Sequence, residues 1–286
     1  MQCNPLNYFL IIFLYLASSA LCPSVFSEEI NLDPVIVTSS RLGQLEFGKL
    51  RALDTINYKE IRSYPLYSLA DILGYLPSVD VRKRGACGIQ ADLSIRGSNF
   101  EQTLILLDGI SLNDTQTGHF NIDLPLTMFD IERIEVLKGQ ASSLYGPNAF
   151  AGVVNIITKK PQGRKFIYEY SRGEYNLSSH GAYLSFPIED FCTGISYEYK
   201  QASGYKPETE FIQRNFYANT YRSLDNMELS LSGGVMDKDF GASTFYSNLF
   251  PREEEHIRTS FSRLELKGEN FDTAFYYRRH RDNFLL

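Results

Sequence analysis

The side chains of this chain that could do covalent or metal chemistry are few, and their spacing argues against such a role. The four histidines are scattered, at positions 119, 180, 256 and 280. Glu253-Glu254-Glu255-His256 sets three carboxylates beside an imidazole, but such a run reads more readily as a solvated loop than as a metal site. Asp237 and Asp239 alternate as the oxygen ligands of a calcium loop do, without the further ligands such a loop needs. No Gly-x-Ser-x-Gly, His-Glu-x-x-His or phosphate-cradling glycine loop is present. Cys87 and Cys192 lie far apart and lack Cys-x-x-Cys spacing, so their pairing is left open. The chain therefore reads as a non-enzyme, with no catalytic residue, no metal site and no cofactor.

Recognition chemistry is better represented. Asn113–Asn121 (NDTQTGHFN) is polar and turn-rich, and Gln116, Thr117, His119 and Phe120 set hydrogen-bonding groups beside stacking rings. Gly85–Ala91 (GACGIQA) is a second turn-rich segment, with Gly85 and Gly88 permitting sharp bends and Gln90 supplying an amide. Near the N-terminus, Pro34 is followed by Val35-Ile36-Val37-Thr38, a wholly β-branched stretch suited to adding as an edge strand to a partner sheet.

The elements that must position these residues differ between the two parts of the chain. Up to about residue 161 the pattern is mixed α and β. Ser68 with Asp71 forms a capping box, and Leu69, Ile72, Leu73 and Leu76 follow at helical spacing until Pro77. Strands are expected around Val79–Val81, Leu93–Ile95, Thr103–Leu107, Ile110–Asn113 and Ile134–Val136, with Asp108-Gly109 as a hairpin turn. Phe150–Thr158 (FAGVVNIIT) is apolar nearly throughout, as in a strand buried on both faces.

Beyond Lys159-Lys160-Pro161-Gln162-Gly163 the composition changes: residues 165–286 hold 12 Tyr and 12 Phe, roughly twice the earlier density. Seven alternating strands are expected, starting near Lys165, Ser178, Phe191, Glu210, Asp225, Ile257 and Phe271. The turns at Pro187–Asp190 and Tyr221–Asp225 are short; the connections Gln201–Thr209 and Asp237–His256 are long. In Ile257–Lys267 the apolar phase changes after Phe261, which suggests a bulge. Apolar-out, polar-in strands with short turns on one side and long loops on the other match an outer-membrane barrel.

Composition sets outer limits. The chain has 286 residues, 43% of them hydrophobic, and a formal net charge of −6. That excludes global disorder and argues against nucleic acid as a partner. Residues 1–27 carry no charged side chain, and Tyr8–Leu21 is apolar, which reads as a secretory signal ending before Glu28.

Together, these segments resemble a known family. Asp33–Arg41 (DPVIVTSSR) is similar to a TonB box, here Asp33, Pro34, Val35, Ile36, Val37 and Thr38. Asp71–Val81 (DILGYLPSVDV), Leu93–Gly97 (LSIRG), Leu107–Asp114 (LDGISLND), Ile131–Gly139 (IERIEVLKG) and Ser142–Thr158 follow in the order found in the plug domain of TonB-dependent outer-membrane receptors. DKDFGASTFYS (237–247) and FYYRRHRDNF (275–284) look most like the cobalamin-receptor branch.

The resemblance implies a fold class: an α+β plug domain followed by antiparallel transmembrane β-barrel strands. It also implies an order: signal 1–27, a tail with the TonB box at 28–55, the plug at 56–161 and barrel strands from 162 to 286. Barrels of this family have about 22 strands around a plugged lumen, so about one third of a barrel is expected in this chain. The implied partners are TonB with its inner-membrane energising complex, outer-membrane lipid, and a small nutrient ligand, either a cobalamin-like corrinoid or an iron–siderophore. Import would draw on the inner-membrane proton gradient. Gln90, Gln116, Thr117, His119 and Phe120 would meet the ligand, and Arg96 and Lys138 would dock the plug onto acidic barrel residues. The alternative is a truncated plug protein that binds TonB or ligand without forming a pore.

Overall fold

The computed structural model describes residues 52–64, 68–114, 116–245 and 252–285. The expected export signal and the segment Asp33–Thr38 lie outside the described residues. No helix among the described residues is long and apolar enough to cross a membrane, which says nothing of strands.

The N-terminal domain is built on a five-stranded sheet. Its strands are β1 (Ala52–Asn57), β4 (Thr103–Leu107), β5 (Ile110–Ser111), β6 (Ile131–Lys138) and β7 (Gly152–Thr158), in the order β1-β6-β7-β4-β5. Beside it β2 (Val79–Lys83) and β3 (Ala91–Ile95) form a separate antiparallel pair. Two short helices, α1 (Tyr58–Ser63) and α2 (Leu69–Leu73), precede that pair, and α3 (Ser142–Tyr145) lies between β6 and β7. Ser68 caps α2 as expected: its Oγ accepts from the Asp71 amide at 3.2 Å and donates to the Asp71 carboxylate at 2.9 Å. Ile105, Leu107, Ile134, Val136, Val154 and Ile156 are buried in the core. Strand β7 runs between antiparallel β6 and parallel β4, which explains its continuous apolar sequence.

The Asp108-Gly109 turn has φ of +49° and +81°, as a two-residue primed hairpin requires. The strand expected at Ile110–Asn113 is shorter, ending at Ser111. The reason is local: the Asn113 side chain takes over the strand's role, accepting from the Ile105 amide at 2.7 Å and donating to the Thr103 carbonyl at 3.2 Å.

The second part is a seven-stranded antiparallel meander in strict sequence order. Its strands are β8 (Lys165–Arg172), β9 (Ser178–Ile188), β10 (Phe191–Ala202), β11 (Phe211–Leu224), β12 (Met227–Gly241), β13 (Glu254–Gly268) and β14 (Asp272–Leu285). The strand starts fall close to those expected. One face is exposed and carries Phe166, Leu184, Tyr197, Phe216, Leu264 and Phe275. The other packs on the N-terminal domain and buries Ser196, Asn215, Tyr217, Lys238 and Thr259.

Two expectations need correction. The connection placed at Asp237–His256 is shorter, because β12 runs to Gly241 and β13 starts at Glu254. Asp237, Asp239 and His256 are therefore strand residues. The bulge expected in β13 is absent, and its pairing with β12 is continuous from Met227↔Gly268 to Gly241↔Glu254. What changes is the solvent of each face: Ile257, Thr259 and Phe261 point toward the N-terminal domain, whereas Leu264 lies on the exposed face. A bulge and a change of apolar face leave the same trace in a hydropathy pattern.

Close approach of the two parts depends on small residues. A Cβ placed on Gly234 would lie 2.0 Å from the Pro125 carbonyl oxygen, and one on Gly181 would lie 2.7 Å from the Phe129 ring. Gly234→Ala must therefore push the 125 segment off the sheet. The expected cost is roughly 1–3 kcal/mol, seen as faster proteolysis of the N-terminal domain than in a Gly74→Ala control, where the backbone is right-handed helical and a Cβ meets its nearest neighbour at an ordinary 3.4 Å.

Candidate functional site

Four aspartates of the N-terminal domain meet the inner face of the sheet. Asp108 lies 3.4 Å from Arg263, Asp114 lies 3.0 Å from Arg278, and Asp123 lies 2.6 Å from Lys238. Asp130 accepts from the Ser196 hydroxyl at 2.6 Å and from the Thr127 amide and hydroxyl, both at 2.8 Å. Amides add to the seam: Asn215 donates to the Leu126 carbonyl at 3.2 Å and Asn219 to the Lys159 carbonyl at 2.7 Å. Lys160 pairs with Glu228 at 2.7 Å, and Arg62 with Glu169.

Burial and partners set the protonation of these acids in different ways. Burial pushes Asp108 and Asp123 upward, opposed by Arg263 and Lys238 respectively. Burial also acts on Asp114, but amide bonds from Gln116 and Thr117 and the Arg278 guanidinium outweigh it and hold the carboxyl below its usual range. Burial raises Asp130 to about 6, against the pull of Ser196 and Thr127. Burial, then the nearby Lys165, draws the Lys159 ammonium down to about 7.

The 113–121 segment is held from several sides. Asp114 accepts from the Gln116 amide at 2.8 Å and the Thr117 amide at 3.2 Å, and its own amide donates to Asn121 Oδ1 at 2.9 Å. A single turn of 3₁₀ helix, Gly118–Phe120, follows, with Thr117 Oγ1 accepting from the His119 amide. His119 Nδ1 lies 2.7 Å from the buried Asp92, which also receives Gln90 Nε2 and Arg84 Nη2, each at 3.1 Å. The Phe100 ring lies 4.5 Å from that of His119.

Of the residues the sequence suggested for ligand contact, Gln90 and His119 thus converge on one carboxylate. Gln90 is fully buried, with its Oε1 unpaired among the described residues, and Phe120 is buried beside His280. Gln116 is exposed, and Thr117 and His119 are half-buried. Of the two expected docking cations, Lys138 pairs with Asp54 inside the N-terminal domain, and Arg96 is exposed. The buried pairs that join the two parts have the opposite polarity, acids on the domain and bases on the sheet, whereas the more exposed Arg62–Glu169 and Lys160–Glu228 pairs set a base of the N-terminal part against an acid of the sheet. Lys238, Arg263 and Arg278 stood in the sequence on the polar phase of their strands, the one signal by which they could have been found.

Residues 49–153 match the family described as TonB-dependent Receptor Plug Domain. Over those residues the chain is similar to the plug domain of TonB-dependent receptors. Curated relatives include two proteins described as Vitamin B12 transporter BtuB from Vibrio vulnificus. That of strain CMCP6 is 29% identical over 74% of this chain and 38% of its own length. That of strain YJ016 is 34% identical over 52% of this chain and 24% of its own. The chain thus spans well under half the length of these relatives.

Among solved structures, the siderophore receptor PirA from Pseudomonas aeruginosa superposes with a TM-score of 0.61 at 22% identity, over 82% of this chain and 41% of that one. The ferric-catecholate import receptor Fiu from E. coli K12 gives 0.66 at 14%, over 82% and 39%. These two likenesses concern the fold: a plug domain followed by antiparallel barrel-type strands.

Two outcomes follow for the seam. Arg278→Gln leaves a buried Asp114 without its counter-charge and should cost roughly 3–5 kcal/mol. Arg214→Gln, whose pairing with Asp237 is on the exposed face, should cost under about 1 kcal/mol; denaturant midpoints of the two variants provide the comparison. Asp130 has a folded-state value of about 6 against an ordinary 3.8, so the folded form binds its proton more tightly. Stability should therefore rise as pH falls from above 6 toward 4, by on the order of 1–3 kcal/mol, and Asp130→Asn should remove that part of the unfolding-versus-pH curve.

Proposed function

We propose that the chain is the plug and first wall strands of an outer-membrane receptor. It would import a scarce nutrient, drawing on the inner-membrane proton gradient through TonB. The observation that carries this reading is the pairing of two opposite sheet faces. One face is clad in exposed aromatic and aliphatic side chains suited to lipid tails, and the other is joined to the plug by buried ion pairs. A soluble antiparallel sheet would have no use for the first face.

Within this reading, Asp33–Thr38 is the segment that adds as a strand to TonB. Gln116, Thr117 and His119 offer accessible polar groups to the ligand, while Gln90 and Phe120 support them from behind. Arg96 is the proposed docking cation still open to a wall partner, and Lys138 would have to exchange Asp54 for one. We assign the ligand to the corrinoid class rather than the iron–siderophores, because the relatives matched by sequence are described as vitamin B12 transporters.

Binding to the full chain tests the ligand class. Cyanocobalamin should bind and a ferric catecholate should not, with Gln116→Ala weakening the corrinoid about fivefold, the value of one hydrogen bond. The reverse preference overturns the corrinoid assignment and leaves the receptor reading intact. For the energy link, Ile36→Pro removes one strand hydrogen bond donor and should abolish capture by the purified periplasmic domain of TonB. Undiminished capture would place the TonB contact elsewhere.

A further inference from the structure

The exposed face of the sheet is not uniform along its strands. Its lower row is apolar, with Leu231 facing Leu264, which faces Phe275; its middle row is apolar from Tyr197 through Phe216 to Val235 and then passes to Ser260 and Arg279. The upper row, toward the ends that carry the longer connections 203–210 and 242–253, is charged: Tyr199, Arg214, Asp237, Arg258 and Arg281 stand side by side across β10 to β14. Arg279 lies on the same face, two residues from Arg281 on β14.

The charges in that row are unevenly paired. Asp237 is directly opposite Arg258, yet its carboxylate lies 3.3 Å from Arg214. Asp239 is held by His256 and lies 3.7 Å from Arg214. Arg258, Arg279 and Arg281 are exposed and make no ion pair among the described residues. Arg258 and Arg281 are moreover direct cross-strand partners. Like charges at opposed positions destabilise a sheet unless an anion lies between them. Guanidinium forks spaced this way suit the several oxygens of a phosphate.

We infer that Arg258, Arg279 and Arg281 form a binding site for the phosphate headgroup of an anionic lipid in the leaflet nearest the long connections. The inference rests on the reading of the sheet as a membrane wall. The occupant is a lipid, since the row adjoins the apolar face that acyl chains would cover, so that headgroup and tails meet matching chemistry on one continuous surface.

The test uses the full chain reconstituted in nanodiscs doped with a diphosphorylated glycolipid or its dephosphorylated form, with retained lipid counted by native mass spectrometry. The wild-type chain should prefer the phosphorylated lipid. The triple variant R258Q/R279Q/R281Q should lose that preference by on the order of a hundredfold, each surface cation contributing about a fivefold factor. The R222Q control changes a half-buried arginine of the same face at the opposite strand ends, already paired with Asp190, and should behave as wild type.

Equal retention by the triple variant overturns the site. Competition by millimolar inorganic phosphate at unchanged lipid density also overturns it, showing a soluble-phosphate site instead. A cysteine at Phe275→Cys separates the two levels. If a membrane-impermeant maleimide labels it freely in nanodiscs, the wall reading falls and the lipid site with it. If it is protected while the triple variant still prefers phosphorylated lipid, only the arginine assignment falls.

Discussion

A carboxylate removed from water needs a compensating charge, and at Asp108, Asp114 and Asp123 that charge is supplied by a different part of the chain. Most of what is distinctive here depends on this constraint. The plug cannot leave the sheet without exposing three acids and three bases together, yet no single pair is irreplaceable by water. Buried ion pairs contribute little net stability against apolar packing of equal volume. What they supply is register: the 108 turn meets β13, the 114 segment β14 and the 123 segment β12. Interfaces held this way can hydrate and separate at modest cost, whereas an apolar seam of the same extent would resist. In the receptor proposed above, where such a domain would have to stay in place and also rearrange, that is the suitable chemistry.

The same strands answer to two environments, and their sequences record both. Alternation with period two is the sum of an outward pattern and an inward pattern, each with its own limits along the strand. Strand β13 shows them out of step, apolar inward at its upper end and apolar outward at its lower end. Inward glycines set how near the plug can come, and at Gly234 the backbone of Pro125 occupies the space a side chain would fill.

Much of the fold was legible from residues alone. Strand starts in the second part, the Asp108-Gly109 turn, the Ser68 cap and the doubly buried β7 all follow from local spacing and hydropathy, because each depends on neighbours close in sequence. The site was less legible. That Gln90 and His119 share Asp92, or that Phe120 is buried against His280, depends on contacts across 27 to 160 positions, for which period and propensity carry no information. The polarity of the seam was hidden for the same reason. A basic residue on the polar phase of a strand reads as solvated until the partner opposite it is known. Asn113 misled the strand boundary because its side chain imitates a backbone pair.

The order of strands in the plug sheet also sets an order of mechanical yielding. Among the described strands, β1 is bound on one side only, through six antiparallel rungs to β6, while β7 is clasped on both sides by β6 and β4. Tension entering at the N-terminal end of the domain reaches Ala52 first. An edge seam of the sheet is therefore the first that such a load meets, and the doubly held strands beneath it are reached only after that seam has opened. A pull would peel the domain in steps from one edge, while the rest stayed seated against the wall.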